Sequence, residues 1–251
     1  MSGETLDQPG RTAAFFDLDR TLLLVNSGKL WLQRERRVGR LSAWQLLQAT
    51  VFLIAYKFHA LDMERVMVKA LQTVKGLEEA QVRRWTHDWF RDEVAQHVAP
   101  GAAAVLDAHR RLEHLLVLHT ASSPYESEVA TEHFGLDAFL STRYQVVDGR
   151  FTGDVERPLC YAAGKVAHAE RFAAAHGVDL AASYFYSDSI TDLPMLERVG
   201  HPRVVQPDLR LGREARRRGW TVLDWSQPGD ADSALRSIEN NADAGAAPDQ
   251  G

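Results

Sequence analysis

Two short hydrophobic segments, each followed at once by aspartates, constrain the fold of this chain more than any other feature. One delivers Asp17 and Asp19 near the start of the chain, and the other delivers Asp188 and Asp192 far downstream. Each predicts a buried strand, whose end would hold these side chains at the rim of a sheet, where ligands bind in open α/β folds. Four carboxylates at neighbouring rims repel one another unless a hard divalent cation lies between them, and oxygen-only ligands favour magnesium. The sequence therefore predicts an α/β fold with a Mg²⁺ site at the sheet edge.

Predicted strands and helices alternate along much of the chain. The strands are predicted at 11–19, 115–120, 183–188 and 203–205, and the helices at 102–112 and 165–176. Residues 144–155 also predict a β-hairpin around an Asp-Gly turn. Strands that alternate with helices predict a doubly wound, Rossmann-like parallel sheet with right-handed crossovers.

An all-helical insertion is predicted between the first strand and the rest of the sheet. Residues 25–97 carry helical periodicity and almost no strand signal. We therefore expect a core formed by residues 11–24 and 98–225, with residues 25–97 as a helical cap. Residues 226–251 are rich in Ala, Asp, Gly, Pro and Asn, a composition that predicts a disordered tail.

Residues 41–61 form the most apolar stretch of the predicted cap, with Lys57 as an isolated lysine. The stretch is nominally long enough to span a bilayer. A single span would put Asp17 and Thr120 on opposite sides of the membrane, and no second comparable segment lies before Thr120 to bring the chain back. We therefore expect a buried or dimer-forming helix here, with contact at a membrane surface as the alternative.

Charge and cysteine content restrict the partners and the compartment. The chain has 29 Lys and Arg against 34 Asp and Glu, a formal net charge of −5, so no global basic field attracts nucleic acid. The one cysteine, Cys160, cannot form an internal disulfide. The first ten residues lack the basic-then-apolar pattern of a signal peptide. These features predict a cytoplasmic protein without a nucleic-acid partner.

Four short motifs occur in order along the chain. They are Asp-x-Asp-x-Thr at Asp17, Asp19 and Thr21, a strand ending in a hydroxyl residue at Thr120, a lone lysine at Lys165, and Asp-x-x-x-Asp at Asp188 and Asp192. Together they resemble the motifs of the haloacid dehalogenase superfamily of aspartate-nucleophile phosphohydrolases. The amino-acid sequence of the predicted hairpin, with Gly-Arg-Phe-Thr-Gly at residues 149–153, is similar to that of the phosphoserine-phosphatase-like branch. The resemblance runs from residue 15 to about residue 195, and it implies a Rossmann-like core with a C1-type helical cap and hydrolysis of a small phosphomonoester.

The resemblance also implies a catalytic role for three side chains. Asp17 would be the nucleophile that forms an aspartyl-phosphate. Asp19 would protonate the leaving group and then activate water, which favours phosphoryl chemistry over dehalogenation. Lys165 would stabilise Asp17 and the phosphoryl group.

Two sets of ligands follow from the same resemblance. The phosphate would be held by Thr120, Lys165 and the backbone N–H groups of Leu18, Asp19 and Ala121. The magnesium ion would be held by Asp17, the backbone carbonyl of Asp19, Asp188 and, directly or through water, Asp192.

Several alternatives stay open at the level of sequence. The same intermediate would serve a phosphotransferase, and a phospho-ligand-binding or membrane-surface protein could retain the fold. Phosphoserine phosphatases hold serine with a cap Glu and a cap Arg, whereas this chain has Asn26 and Lys69 near those positions. We therefore expect phosphoserine not to be the best substrate. His119 is expected to be a packed side chain rather than a catalyst.

Overall fold

The structure, a computed structural model, describes residues 10–39, 63–227 and 238. Its helices are α1 (Ser27–Arg37), α2 (Met63–Leu71), α3 (Glu79–Trp89), α4 (Ala102–Arg111), α5 (Pro124–Phe134), α6 (Ala163–His176), α7 (Leu193–Arg198) and α8 (Leu209–Arg218). Its strands are β1 (Ala13–Phe16), β2 (Leu115–His119), β3 (Ala138–Leu140), β4 (Tyr144–Val147), β5 (Arg150–Val155), β6 (Tyr184–Ser187), β7 (His201–Val205) and β8 (Thr221–Leu223). The predictions for residues 41–61 and for nearly all of the tail lie outside the described residues.

A six-stranded, all-parallel sheet in the order β3-β2-β1-β6-β7-β8 forms the core. The chain builds outward from β1 to β3 on one side and then returns to build β6 to β8 on the other. This arrangement confirms the predicted doubly wound sheet. The strand order reverses around β1 and β6, where open α/β sheets bind their ligands.

Burial on both faces of the sheet explains why β1 is a continuous apolar run in the sequence. Ala13 and Phe15 pack into one hydrophobic layer, which contains side chains of α6, α7 and α8. Ala14 and Phe16 pack into the opposite layer with side chains of α4 and α5. All four side chains are fully buried, because helices cover both faces of a parallel sheet.

The two edge strands β3 and β8 were not among the strands that the sequence predicts. Each has three residues, which is too short to display a period-2 pattern. They add to the sheet through parallel pairing with β2 and β7.

The predicted hairpin is confirmed as a separate antiparallel pair, β4 and β5. Its turn places both Asp148 and Gly149 at positive φ, 49° and 71°, as tight hairpin turns require. The hairpin packs beside α2, and Gln72 Nε2 donates to the carbonyl of Gly153 at 2.8 Å.

Helices dominate the described part of the predicted cap, where α1, α2 and α3 lie together with shorter helical turns. Within residues 10–39 and 63–227, no helix combines the length and apolar character needed to cross a bilayer.

Candidate active site

A tight turn after β1 presents the first two aspartates. The backbone N–H of Asp17 donates to the carbonyl of Tyr186 in β6 (2.9 Å), which fixes the turn to the neighbouring strand. Residues Leu18–Leu22 then form one helical turn, interrupted at Arg20 with φ 59°. A left-handed conformation of a non-glycine residue costs on the order of 1–3 kcal/mol, so the surrounding contacts must hold this turn in place.

Lys165, in the first turn of α6, joins two of the predicted site carboxylates. Its Nζ donates to Asp17 Oδ1 at 2.8 Å and to Asp192 Oδ2 at 2.7 Å, and the side chain is only 2% exposed. Ser187 Oγ donates to the same Asp192 oxygen at 2.7 Å. A buried network with every member partnered is rigid, so the lysine is fixed against the nucleophile candidate.

Asp192, which the sequence predicts to complete the metal site directly or through water, contacts Lys165 and Ser187 through its Oδ2. Within the described residues, no three His, Cys, Asp or Glu side chains are grouped so that they could hold a metal ion by themselves. The structure therefore gives Asp192 a positioning contact, and a cation here would need backbone or water oxygens besides carboxylates.

Negative charge exceeds positive charge at this edge of the sheet. Burial and, to a smaller extent, repulsion from Asp192 outweigh the opposing effect of Lys165 and together raise the pKa of the Asp17 carboxyl to about 7. Burial alone would lower the pKa of Lys165, but the two carboxylates outweigh it and raise the value. One lysine therefore offsets only part of the buried negative charge.

Asp188 lies at the end of β6, beside Asp17. Burial raises its pKa well above the ordinary value, and repulsion from Asp17 adds to the rise. Arg20 lies at the mouth of the site, with Nε 3.4 Å from Asp188 Oδ2. Both aspartates are 8% exposed and follow paired strands, so their oxygens and the Asp19 carbonyl fit the donor set of a magnesium ion.

The Asp19 carboxylate is held by the start of α1. Its Oδ2 accepts from Asn26 Nδ2 and its Oδ1 accepts from the backbone N–H of Ser27, both at 2.8 Å. Burial raises the pKa of Asp19. Asn26 also caps α1 by accepting from the N–H of Lys29 at 3.1 Å. Asn26, which the sequence placed near a substrate-binding position, thus holds the carboxylate of Asp19, the candidate general acid.

Thr120 directly follows β2, the strand that lies next to β1 in the sheet. Its side chain is buried, and Oγ1 accepts from the backbone N–H of Ser122 at 3.1 Å. This closes a short turn through Ala121 before α5 begins. Because the carboxyl ends of β1 and β2 are adjacent, the turn lies at the same sheet edge as Asp17.

Glu126 is a buried carboxyl group that the sequence reasoning missed. It is 6% exposed on the first turn of α5, and its Oε1 has no hydrogen-bond partner. Burial and repulsion from Asp19 outweigh the effect of hydrogen bonds from the Ser27 and Ser122 hydroxyls and together raise the pKa of Glu126 to about 8. The only sequence signal was the spacing Ser-x-x-Glu from Ser123, which ordinarily indicates a helix cap, and Ser123 Oγ does accept from the Glu126 N–H at 3.1 Å.

His119 is fully buried between the rings of Phe15 and Phe185, at centroid distances of 5.7 Å each. Burial lowers its pKa well below the ordinary value. The imidazole is therefore a neutral core side chain, in agreement with the packed interpretation.

Comparison with protein families gives a match to haloacid dehalogenase-like hydrolases over residues 14–197. A probable phosphatase of Mycobacterium tuberculosis is 36% identical over 222 residues, covering 87% of this chain and 77% of that protein. A phosphoserine phosphatase of the same organism is 32% identical, covering 85% and 70%. A histidinol-phosphatase of Neisseria meningitidis is 26% identical, covering 86% and 99%.

Solved structures with the same fold include a protein of unknown function from Bordetella pertussis. It has a TM-score of 0.78 and 29% identity, covering 86% of this chain and 99% of that one. A substrate-bound phosphoserine phosphatase has a TM-score of 0.65 and 18% identity, covering 92% and 100%. At that identity the second likeness concerns the fold alone.

Proposed function

Since the chain belongs to the haloacid dehalogenase-like hydrolase family and is an enzyme of the phosphatase type, we propose that it is a magnesium-dependent phosphomonoesterase. It acts on a small phosphorylated metabolite through an aspartyl-phosphate at Asp17. The observation that carries the proposal is the buried contact of Asp17 Oδ1 with Lys165 Nζ at 2.8 Å. A carboxylate held beside a fixed cation at the end of a central strand is arranged to attack phosphorus.

The first half of the reaction transfers the phosphoryl group to the enzyme. An oxygen of Asp17 forms a bond to phosphorus while the bond from phosphorus to the leaving-group oxygen breaks. Asp19 gives its proton to that oxygen, and burial supports this role by raising the pKa of Asp19. The contacts from Asn26 and Ser27 hold the Asp19 carboxyl in place.

The second half releases phosphate and restores the enzyme. Asp19, now ionised, takes a proton from water as the water oxygen bonds to phosphorus and the bond to Asp17 breaks. Lys165 stays beside Asp17 throughout, because Asp192 and Ser187 hold its ammonium group from the other side.

Thr120, Ala121 and the turn at Leu18 supply the proposed phosphate contacts, together with Lys165. Asp17, Asp188 and the Asp19 carbonyl would hold magnesium, which offsets the repulsion between the nucleophile and the phosphate. The core of residues 11–24 and 98–225, the cap of residues 25–97 and a cytoplasmic location are parts of the same proposal.

Phosphate release from a panel of phosphomonoesters tests this function. We expect turnover with Mg²⁺, loss of turnover in excess chelator, and recovery on adding Mg²⁺ back. Ca²⁺ should substitute poorly, because it is larger and takes more oxygens at longer distances. Full activity in excess chelator, or no turnover of any phosphomonoester with Mg²⁺, would contradict the proposal. The same panel tests the expectation that phosphoserine is not the best substrate.

A further inference from the structure

The turn between β7 and α8 contacts the loop that carries Asp188, and the chemistry proposed above does not use this contact. The backbone N–H of Asp208 donates to the carbonyl of Asp188 at 2.8 Å. In the opposite direction, the backbone N–H of Ile190 donates to Asp208 Oδ2 at 2.9 Å. The two hydrogen bonds lie on either side of Ser189, so Asp208 holds the loop directly after the candidate metal ligand.

The second oxygen of the same carboxylate caps α8. Asp208 Oδ1 accepts from the backbone N–H groups of Arg210 at 2.8 Å and Leu211 at 2.9 Å. The helix is a firm support, because Leu211 and Ala215 are fully buried in one hydrophobic layer of the core. Asn or Ser caps a helix about as well as Asp does, but each has only one side-chain acceptor atom. A carboxylate can cap the helix with one oxygen and hold the loop with the other.

The turn that delivers Asp208 has a strained backbone. Gln206 has φ 42°, a left-handed conformation that is unfavourable for a residue other than glycine. Its backbone N–H donates to the carbonyl of Leu223 at 2.9 Å, and its Nε2 donates to Asp224 Oδ1 at 3.1 Å. These contacts hold the turn against the strain. Since strained backbone is concentrated at functional sites, the turn fits a role at this edge of the sheet.

The loop needs support because its aspartate lies beside a group of the same charge. Asp188 and Asp17 are buried carboxylates that follow adjacent strands, and the repulsion between them favours movement of the loop away from the nucleophile candidate. Mg²⁺ requires nearly ideal octahedral geometry, so a small displacement of one ligand weakens its binding. Contacts that fix the backbone after Asp188 oppose that displacement.

We infer that Asp208 is a positioning residue, which holds the loop of residues 188–190 so that the Asp188 carboxylate stays beside Asp17 in the geometry that magnesium requires. This inference rests on the proposed phosphomonoesterase function. Asp208 acts through Asp188 and touches neither the substrate nor the metal ion. Residues that orient metal ligands in this way typically contribute about ten- to a hundredfold to metal affinity.

Two variants remove the hydrogen bond between Ile190 and Asp208 from opposite ends. Asp208→Ser keeps a cap for α8 but has no second acceptor for the Ile190 N–H. Ile190→Pro removes that N–H and leaves Asp208 unchanged. Proline suits this position, because Ile190 opens a helical turn and Ser189 before it is extended, with φ −112° and ψ 136°. Asp179→Ser is the matched control, since Asp179 caps a helical turn that precedes β6 rather than follows it.

A titration with Mn²⁺ followed by EPR measures metal affinity without turnover, since Mn²⁺ accepts the same octahedral oxygen ligands as Mg²⁺. We expect the Kd for Mn²⁺ to rise about ten- to a hundredfold in Asp208→Ser and in Ile190→Pro, and no further when both changes are combined. The Mg²⁺ concentration for half-maximal activity should rise in parallel, while kcat at saturating Mg²⁺ stays within about threefold of wild type. Asp179→Ser should match the wild type in each measurement.

An unchanged Kd for Mn²⁺ in either of the two variants would overturn the inference, and so would an equal rise in Asp179→Ser. A lower kcat with an unchanged Mg²⁺ requirement would indicate a purely structural role and would also overturn it. Urea denaturation of the metal-free proteins shows which variants are folded, and either of the two is sufficient for the test. Mg²⁺-dependent hydrolysis by the wild type with unaffected variants would remove only this inference. No such hydrolysis by the wild type would remove the proposed function as well.

Discussion

At the scale of single residues, one buried lysine holds the site together. Lys165 is the cation between Asp17 and Asp192, and both contacts are shorter than 3 Å. Removing one member of a buried ion pair leaves uncompensated charge, which costs far more than a surface pair is worth. The contribution of Lys165 to stability and its proposed contribution to catalysis therefore have the same physical origin.

Lys165→Met should impair both properties, since methionine keeps the length of the side chain but not its charge. We expect the free energy of unfolding to fall by about 3–5 kcal/mol and kcat to fall by at least about a hundredfold. Urea denaturation and steady-state kinetics measure the two effects. Lys75→Met, at an exposed position, should change neither. Near-wild-type kcat in Lys165→Met would show that the lysine does not assist the transfer.

At the scale of elements, α4 is joined to the sheet by a polar contact inside the apolar core. His109 is fully buried, and its Nε2 lies 2.9 Å from the Tyr186 hydroxyl of β6. Its Nδ1 lies 2.8 Å from His114 Nδ1, so one of the two rings donates and the other accepts. Burial lowers the pKa of both imidazoles, and the proximity of the two rings contributes to the shift at His109. Protonating either ring would disrupt this junction.

The junction makes stability depend on pH. Since the folded-state pKa values of His109 and His114 are lowered, the unfolded chain binds protons that the folded protein does not. Their stabilising effect is complete above the unfolded pKa of about 6.5 and is lost as pH falls below it, by up to about 1.4 kcal/mol per pH unit for each proton.

Urea denaturation at pH 7.5 and pH 5.5 measures this effect. We expect the wild type to lose stability between the two, and His114→Gln to lose less. His176→Gln, an exposed histidine, is the control and should behave like the wild type. An unchanged pH dependence in His114→Gln would exclude this pair as the cause.

At the scale of the whole molecule, the sequence predicted the doubly wound sheet because its central strands are continuous apolar runs that end in carboxylates. The apolar run that ends in Phe15 and Phe16 predicts β1 in this way, whereas β3 and β8 are too short to show a pattern. The contacts of Asn26 and Glu126 could not be predicted, because they depend on how α1 and α5 meet the turn after β1. Local spacing gave Glu126 only the signal of a helix start, and the sequence placed Asn26 only near a position that binds substrate in phosphoserine phosphatases.

The proposed mechanism depends on Asp17 as the nucleophile whose carboxylate oxygen carries the phosphoryl group between the two half-reactions. The most direct measurement is rapid quenching during turnover, followed by mass spectrometry of the peptide that contains residues 11–34. We predict a phosphoryl adduct on Asp17 in the wild type and none in Asp17→Asn, whose amide is a poor nucleophile. An adduct on another residue, or more than about a hundredth of wild-type kcat in Asp17→Asn, would contradict the account, since general acid catalysis alone supplies about a hundred- to ten-thousandfold.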